Sequence, residues 1–153
     1  MRIFEIPGDG AIRLEHLVLD LNGTLSDRGE LIPGVDERLE RLATNLQVHL
    51  LTADTLGTAG RLAGDLGLPV TTIVTGDDKA AFVAALGAEA SAAIGNGRND
   101  AAMLSAARLG IAIVGPEGAA SAALIAADIV CQSVTDALDL LLDERLLIAT
   151  LRP

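Results

Sequence analysis

Short apolar runs of strand length alternate along this chain with amphipathic stretches of about ten residues, and Gly, Pro, Asn or Asp punctuates most junctions. That alternation leaves few folds open, because strands separated by helices pair in parallel and bury both faces of one sheet. Met1–Ile6 and Ala11–Arg13 flank Pro7-Gly8-Asp9-Gly10 and read as a small N-terminal hairpin. His16–Asp20 reads as a buried strand, followed by a loop from Leu21 to Pro33. Gly34–Leu46 then reads as a helix, with Val35, Leu39, Leu42 and Leu46 on one face. Strand–helix pairs continue as Val48–Thr52 with Thr58–Leu66, Val70–Val74 with Asp78–Leu86, and Ala92–Ile94 with Asn99–Arg108. Ile111–Val114 with Ala119–Ala126, and Ile129–Cys131 with Thr135–Leu142, complete the series. The expected fold is α/β, a three-layer Rossmann-like arrangement on a central, mainly parallel sheet. With no linker, repeat or shift of composition, residues 1–153 read as one domain.

Composition narrows the function classes. Twenty-one acidic residues against eleven basic give a formal charge of −10, which repels phosphodiester backbones and anionic lipid. Phe4 and Phe82 stand without any Tyr or Trp, so platforms for stacking bases are missing. The reading is therefore no nucleic acid and no membrane, the more so as no run reaches ~18 apolar residues and the N-terminus lacks an apolar leader core. One cysteine, Cys131, cannot pair within the chain and suits a reducing cytoplasm, where it reads as a small buried hydrophobe.

In open parallel sheets, ligands bind beyond the carboxyl ends of the strands. Four polar signals fall there: Asp20-Leu21-Asn22-Gly23-Thr24, Thr52-Ala53-Asp54, Lys79 and Gly95-Asn96-Gly97-Arg98-Asn99-Asp100. Taken alone, Asp20 reads first as a turn-former ending a strand. A carboxylate held rigidly at that edge also suits nucleophilic attack or a hard cation such as Mg²⁺. Gly23 and Thr24 add backbone N–H groups and a hydroxyl, the parts of an anion cradle. Thr52 and Asn99 each read as helix caps or loop residues when considered singly. Lys79 is the only lysine among ten arginines, and a compact ammonium meeting a carboxylate and a phosphoryl oxygen together is a lysine role. His16 and His49 lie inside strand patterns with no further His or Cys at ligand spacing, and read as core or edge residues.

The order Asp20-x-Asn22-Gly23-Thr24, Thr52, Lys79, Gly95-Asn96-Gly97-Arg98-Asn99-Asp100 resembles the haloacid dehalogenase (HAD) superfamily of phosphotransfer enzymes. Within it, the stretch from Leu17 to Leu142 is similar to the phosphorylation domain of P-type ATPases, and to small soluble P-type-ATPase-like HAD proteins. The resemblance implies a Mg²⁺-dependent phosphohydrolase or phosphotransferase. Asp20 would be the nucleophile that becomes an aspartyl phosphate, with Thr52 contacting the phosphoryl group and Lys79 neutralising charge. Asp20, the Asn22 carbonyl and Asn96 would hold Mg²⁺, with Asp100 supporting its water shell or Lys79. Gly23, Thr24, Ala53 and Asn99 would line the substrate.

Two positions depart from the family pattern. HAD phosphatases usually carry Asp where this chain has Asn22, and that Asp protonates the leaving group and then activates water. An amide does neither, which points to slow turnover, a loss of ~10²–10⁴-fold for a general acid–base. P-type pumps also lack that acid. Asn96 replaces the Asp expected in the last motif; Asp27, Asp54 and Asp100 are candidates to compensate. The catalytically decayed alternative is a phosphate- or Mg²⁺-binding regulatory module. A receiver domain, which also presents Asp, Thr and Lys in that order, lacks any counterpart of Gly95–Asp100. Thirty-one residues separate Asp20 from Thr52 and twenty-six separate Thr52 from Lys79, too few for a cap domain or a pump's nucleotide-binding domain. The expected partner is a small phosphorylated substrate or a phosphorylated macromolecule, and the uncapped site, open to solvent, points to the macromolecule or to a homo-oligomer that covers the opening.

Overall fold

A computed structural model of the chain describes residues 1–53 and 57–153. Its strands are β1 (Arg2–Ile6), β2 (Gly10–Leu14), β3 (His16–Asp20), β4 (Ser26–Asp27), β5 (Glu30–Leu31), β6 (Gln47–Thr52), β7 (Val70–Thr72), β8 (Ser91–Gly95), β9 (Leu109–Ile113) and β10 (Ile129–Cys131). Its α-helices are α1 (Val35–Ala43), α2 (Thr58–Leu66), α3 (Gly76–Leu86), α4 (Ala101–Ala106), α5 (Ser121–Ala126), α6 (Val134–Leu142) and α7 (Glu144–Leu151). Six strands form one sheet in the order β10-β9-β8-β3-β6-β7. All five of its pairings are parallel. β1 and β2 form a separate antiparallel hairpin, and β4 and β5 a two-stranded flap between β3 and α1.

Alternation along the strands sorts the core into two layers. Leu17 and Leu19 of β3, Val48 and Leu50 of β6 and Ile111 and Ile113 of β9 face α1, α2, α6, α7 and the hairpin, where Phe4, Ile6, Ile12 and Leu14 are buried. Val18, Leu51, Ala93 and Ala112 face the other way, toward Val83 of α3, Met103 and Leu104 of α4 and Ala123 of α5. The apolar α6, with Leu138 and Leu141 fully buried, covers the sheet. Chain direction reverses beside β3: β6 and β7 extend the sheet on one side, and α3 then carries the chain back to β8 on the other. Such a switch point is where open α/β sheets place ligands.

Several elements differ from the sequence expectation at their ends. The first helix stops at Ala43, not Leu46, because Thr44 turns its hydroxyl onto the Arg41 carbonyl and Asn45 closes a tight turn to Leu42. α3 starts at Gly76, two residues early, because Thr75 accepts the Asp78 N–H as an N-cap. The expected helix from Asn99 to Arg108 opens as a 3₁₀ turn over Arg98–Asp100 and ends at Ala106, since β9 already begins at Leu109. The third core strand closes at Thr72, and the expected loop from Leu21 to Pro33 contains the β4–β5 flap. Among the described residues, no helix is long and apolar enough to cross a membrane.

Candidate active site

Asp20 is the last residue of β3, where the N–H of Leu21 still bonds the Leu51 carbonyl of β6. Immediately afterwards the chain turns tightly, with Thr24 and Leu25 both donating to the Leu21 carbonyl. The turn returns the Thr24 hydroxyl to Asp20 Oδ2 at 3.0 Å. Asp20 is thereby fixed from both sides while its carboxylate stays at the sheet's edge.

Lys79, on the second turn of α3, reaches Asp20 Oδ1 and Asp100 Oδ1, each at 2.7 Å. Its side chain is fully buried. Asp100 closes the turn after β8 by accepting the N–H groups of Asn96 and Gly97 on Oδ2, at 3.0 and 2.8 Å. That folding back requires Gly95: a Cβ there would stand 2.6 Å from the Asp100 carboxyl carbon. One ammonium thus serves two buried carboxylates, leaving one net negative charge. Burial, then repulsion from Asp100, pushes the Asp20 carboxyl up to about 6, against the pull of Lys79 and Thr24. Burial works against the Lys79 ammonium, but the two carboxylates outweigh it and hold the group above its ordinary value.

Thr52 ends β6 beside this triad, and Asn22 Nδ2 donates to its hydroxyl at 3.1 Å. Asn96 follows β8; its Oδ1 accepts from the Thr24 hydroxyl at 3.2 Å, while its Nδ2 donates to the Gly118 carbonyl. Asp20, Thr24, Lys79, Asn96 and Asp100 are therefore linked in one hydrogen-bonded group, Asn22 and Thr52 are bonded to each other, and Gly23 is buried in the turn. Ala53 and Asn99 are exposed at the periphery. Asp27 lies on the flap with Arg28 at 3.9 Å, and Asp54 falls outside the described residues.

The residues present fit a hard cation. Thr24 has one hydroxyl proton and two oxygen acceptors, Asp20 Oδ2 and Asn96 Oδ1, so the pair keeps acceptor capacity. An all-oxygen set of this kind suits Mg²⁺. Its charge is low: among the described residues, no three His, Cys, Asp or Glu side chains cluster as a ligand set.

The sequence reading missed Glu117. The loop between β9 and α5 docks on the site, through the Asn96–Gly118 bond and a bond from Ala120 N–H to the Asn96 carbonyl. It carries the Glu117 carboxylate against Gly23, and the two border a cleft of about 360 Å³ with Asn22 and Arg28. The signal was available: Gly115-Pro116-Glu117-Gly118 is another polar turn beyond the carboxyl end of a strand.

No protein-family model matches the chain. It is 53% identical over 60 residues to the uncharacterized protein MJ0073 of Methanocaldococcus jannaschii, covering 39% of this chain and 64% of that one. To MJ0072 of the same organism, also uncharacterized, it is 44% identical over 39 residues, which are 26% of this chain and 89% of that protein. The "Probable cation-transporting ATPase G" of Mycobacterium bovis matches at 42% identity over 96 residues, 61% of this chain but 12% of the ATPase. Among solved structures, the 3-deoxy-D-manno-octulosonate 8-phosphate phosphatase of Moraxella catarrhalis, in complex with magnesium and phosphate ions and the sugar, superposes with a TM-score of 0.69 at 20% identity. The match covers 91% of this chain and 94% of the phosphatase. The catalytic domain of the CPx-ATPase CopB-B superposes with a TM-score of 0.61 at 23% identity, over 74% of this chain and 46% of that one.

Proposed function

The chain has the fold of the haloacid dehalogenase hydrolases and belongs to one family with MJ0072, and on that premise we propose that it is a slow phosphohydrolase or phosphotransferase acting through Asp20. One observation carries the reading. Lys79, the single lysine, bridges Asp20 and Asp100 at 2.7 Å each, at the switch point of the sheet. A buried carboxylate fixed by an ammonium and a hydroxyl is a positioned nucleophile rather than a turn-former.

An Asp20 oxygen attacks phosphorus, and the bond from phosphorus to the leaving oxygen breaks as the new one forms. Lys79 and Thr52 meet the phosphoryl oxygens, and the Gly23–Thr24 turn orients them, with Ala53 and Asn99 at the rim of the substrate. Asp20, the Asn22 carbonyl and Asn96 would hold Mg²⁺, which supplies charge neutralisation at the phosphoryl group. Asp100 keeps Lys79 ionised and in place. The leaving alkoxide takes its proton from solvent, because Asn22 has none to give. Water then attacks the aspartyl phosphate without a general base at that position, so this second step is the slow one. The substrate is a small phosphorylated compound, a reading supported by the Moraxella catarrhalis phosphatase, which is solved in complex with a phosphate ion and a sugar. The compartment is the reducing cytoplasm.

Incubation with acetyl phosphate and Mg²⁺, followed by mass spectrometry, tests the reading. A phosphoryl adduct is expected on the wild type and not on Asp20→Asn; equal labelling of both removes the assignment. A regulatory module is the second reading, favoured by the Asn22 amide committed to Thr52. Stoichiometric beryllofluoride binding with no turnover of acetyl phosphate identifies that case.

A further inference from the structure

A second cavity lies at the end of the molecule away from Asp20. The strands of the sheet are parallel, so α1 leaves their carboxyl side and delivers the chain to the amino end of β6, and α6 makes the same return from β10. Between the last turn of α1, the α6–α7 junction and β1 is a space of about 580 Å³. Arg41, Arg145 and Arg2 line it, one from each of α1, α7 and β1, together with Asp139, Asp143 and Glu144.

These charges are not equivalent. Arg38 forks onto Asp139 through Nε at 2.8 Å and Nη2 at 2.9 Å. Arg145 forks onto Asp143 in the same way, at 3.1 and 2.8 Å. Both carboxylates are thereby neutralised where they stand. Among the described residues neither Arg2 nor Arg41 forms an ion pair, and only Glu144 opposes them. Four arginines against three acids leave this region positive, on a chain whose formal charge is −10.

Arg2 is also held in place with donors unused. Its Nη2 donates to the Leu142 carbonyl at 2.9 Å, and its Cζ stands 5.6 Å from the centre of the Phe4 ring. Its Nε is buried without a hydrogen-bond partner. A buried N–H left unpaired carries its full desolvation cost, and native structures ordinarily supply an oxygen for it. A guanidinium fixed by a ring and a carbonyl, with neither carboxylate nor second acceptor, is prepared for an external anion.

We propose that this cavity binds a small molecule carrying two oxyanion groups, one paired with Arg2 and the other with Arg41. Guanidinium forks match phosphate and carboxylate alike, so the shared chemistry is the pair of anionic groups. Leu142 and Leu146 add an apolar wall, and the volume is that of a small-ligand site. Binding here is independent of phosphoryl transfer at Asp20.

Isotopic labelling of arginine nitrogen alone gives one Nε–H resonance per arginine by NMR. Pyrophosphate and succinate are titrated separately at fixed ionic strength without Mg²⁺, with acetate as the singly charged control. Saturable shifts are expected at Arg2 and Arg41 and not at Arg61 or Arg108, and they should be the same in Asp20→Asn. The tighter of the two dianions identifies the paired group as phosphate or carboxylate. Arg41→Gln should weaken binding by about fivefold, the upper range for one exposed ion pair, and Glu144→Gln should strengthen it by up to the same factor. Both replaced side chains are exposed, so neither change disturbs the core. No saturable shift with either dianion, acetate binding as tightly as they do, or an affinity unchanged in both variants overturns the proposal. Shifts lost in Asp20→Asn would place the anion at the active site and overturn it equally.

Discussion

The two ends of β3 put the same problem to the chain and solve it differently. His16 opens the strand and Asp20 closes it, both on the sheet face that carries Val18. At the amino end, His16 Nδ1 lies 3.3 Å from His49 Nε2 on β6, and His49 packs edge-on against Phe82. One ring N–H placed between the two imidazoles serves both nitrogens at that contact. At the carboxyl end, two carboxylates share one ammonium, and the Thr24 proton is divided between two oxygens. That end is incomplete by one positive charge. The closed pair needs nothing further, while the open one keeps a net negative charge that attracts a cation.

Lys79→Met breaks the contrast most severely. It leaves Asp20 and Asp100 buried side by side with no counter-charge, and loss of one partner of a buried ion pair costs about 3–5 kcal/mol. Urea denaturation at pH 7.5 is expected to show that loss, with part of it recovered at pH 5, where one carboxyl takes up a proton. A midpoint unchanged at both pH values would mean that the triad carries no buried charge.

Asp20→Asn is expected to act in the opposite direction. The folded carboxyl titrates at about 6 against an ordinary 3.8, so the native state binds its proton more tightly than the unfolded chain does. Stability from this group is therefore present below about pH 4 and falls as pH rises through 6, by up to about 3 kcal/mol. Replacing the acid should raise the thermal midpoint at pH 7.5 by the equivalent of about 2 kcal/mol while abolishing phosphorylation. It should also flatten the decline between pH 4 and 6. A variant that melts below the wild type at pH 7.5 would show that Asp20 is held for stability.

Much of the triad was legible because strand ends can be read from apolar runs. Asp20 and Thr52 close such strands, Lys79 lies in the helix that follows one, and the limits of α2 and β10 coincide with the sequence pattern. Less legible were features that depend on register between strands. His16 and His49 are thirty-three residues apart and meet only because His16 stands opposite Gln47 and His49 opposite Val18. Glu117 comes to Gly23 through a loop docked on Asn96, a contact with no periodic signature. The cap that starts α3 at Gly76 was readable in Thr75-x-x-Asp78, where a polar side chain replaces the missing helical partner.

The amino end offers the smallest and most discriminating effect. Burial, and then His16, pulls the His49 imidazole below its ordinary value, so the folded protein holds this proton less tightly than the unfolded chain. Stability from His49 is therefore present above pH 6.5 and lost as pH falls, the reverse of the trend at Asp20. His49→Gln keeps a side-chain partner for His16 and cannot be protonated. At pH 7.5 it should cost about 0.5 kcal/mol, the low end for a hydrogen bond between partly exposed groups. Below pH 6 that difference should shrink or reverse, and phosphorylation of Asp20 should keep its pH profile. If the profile moved instead, the two ends of β3 would be electrostatically coupled through Val18 rather than independent.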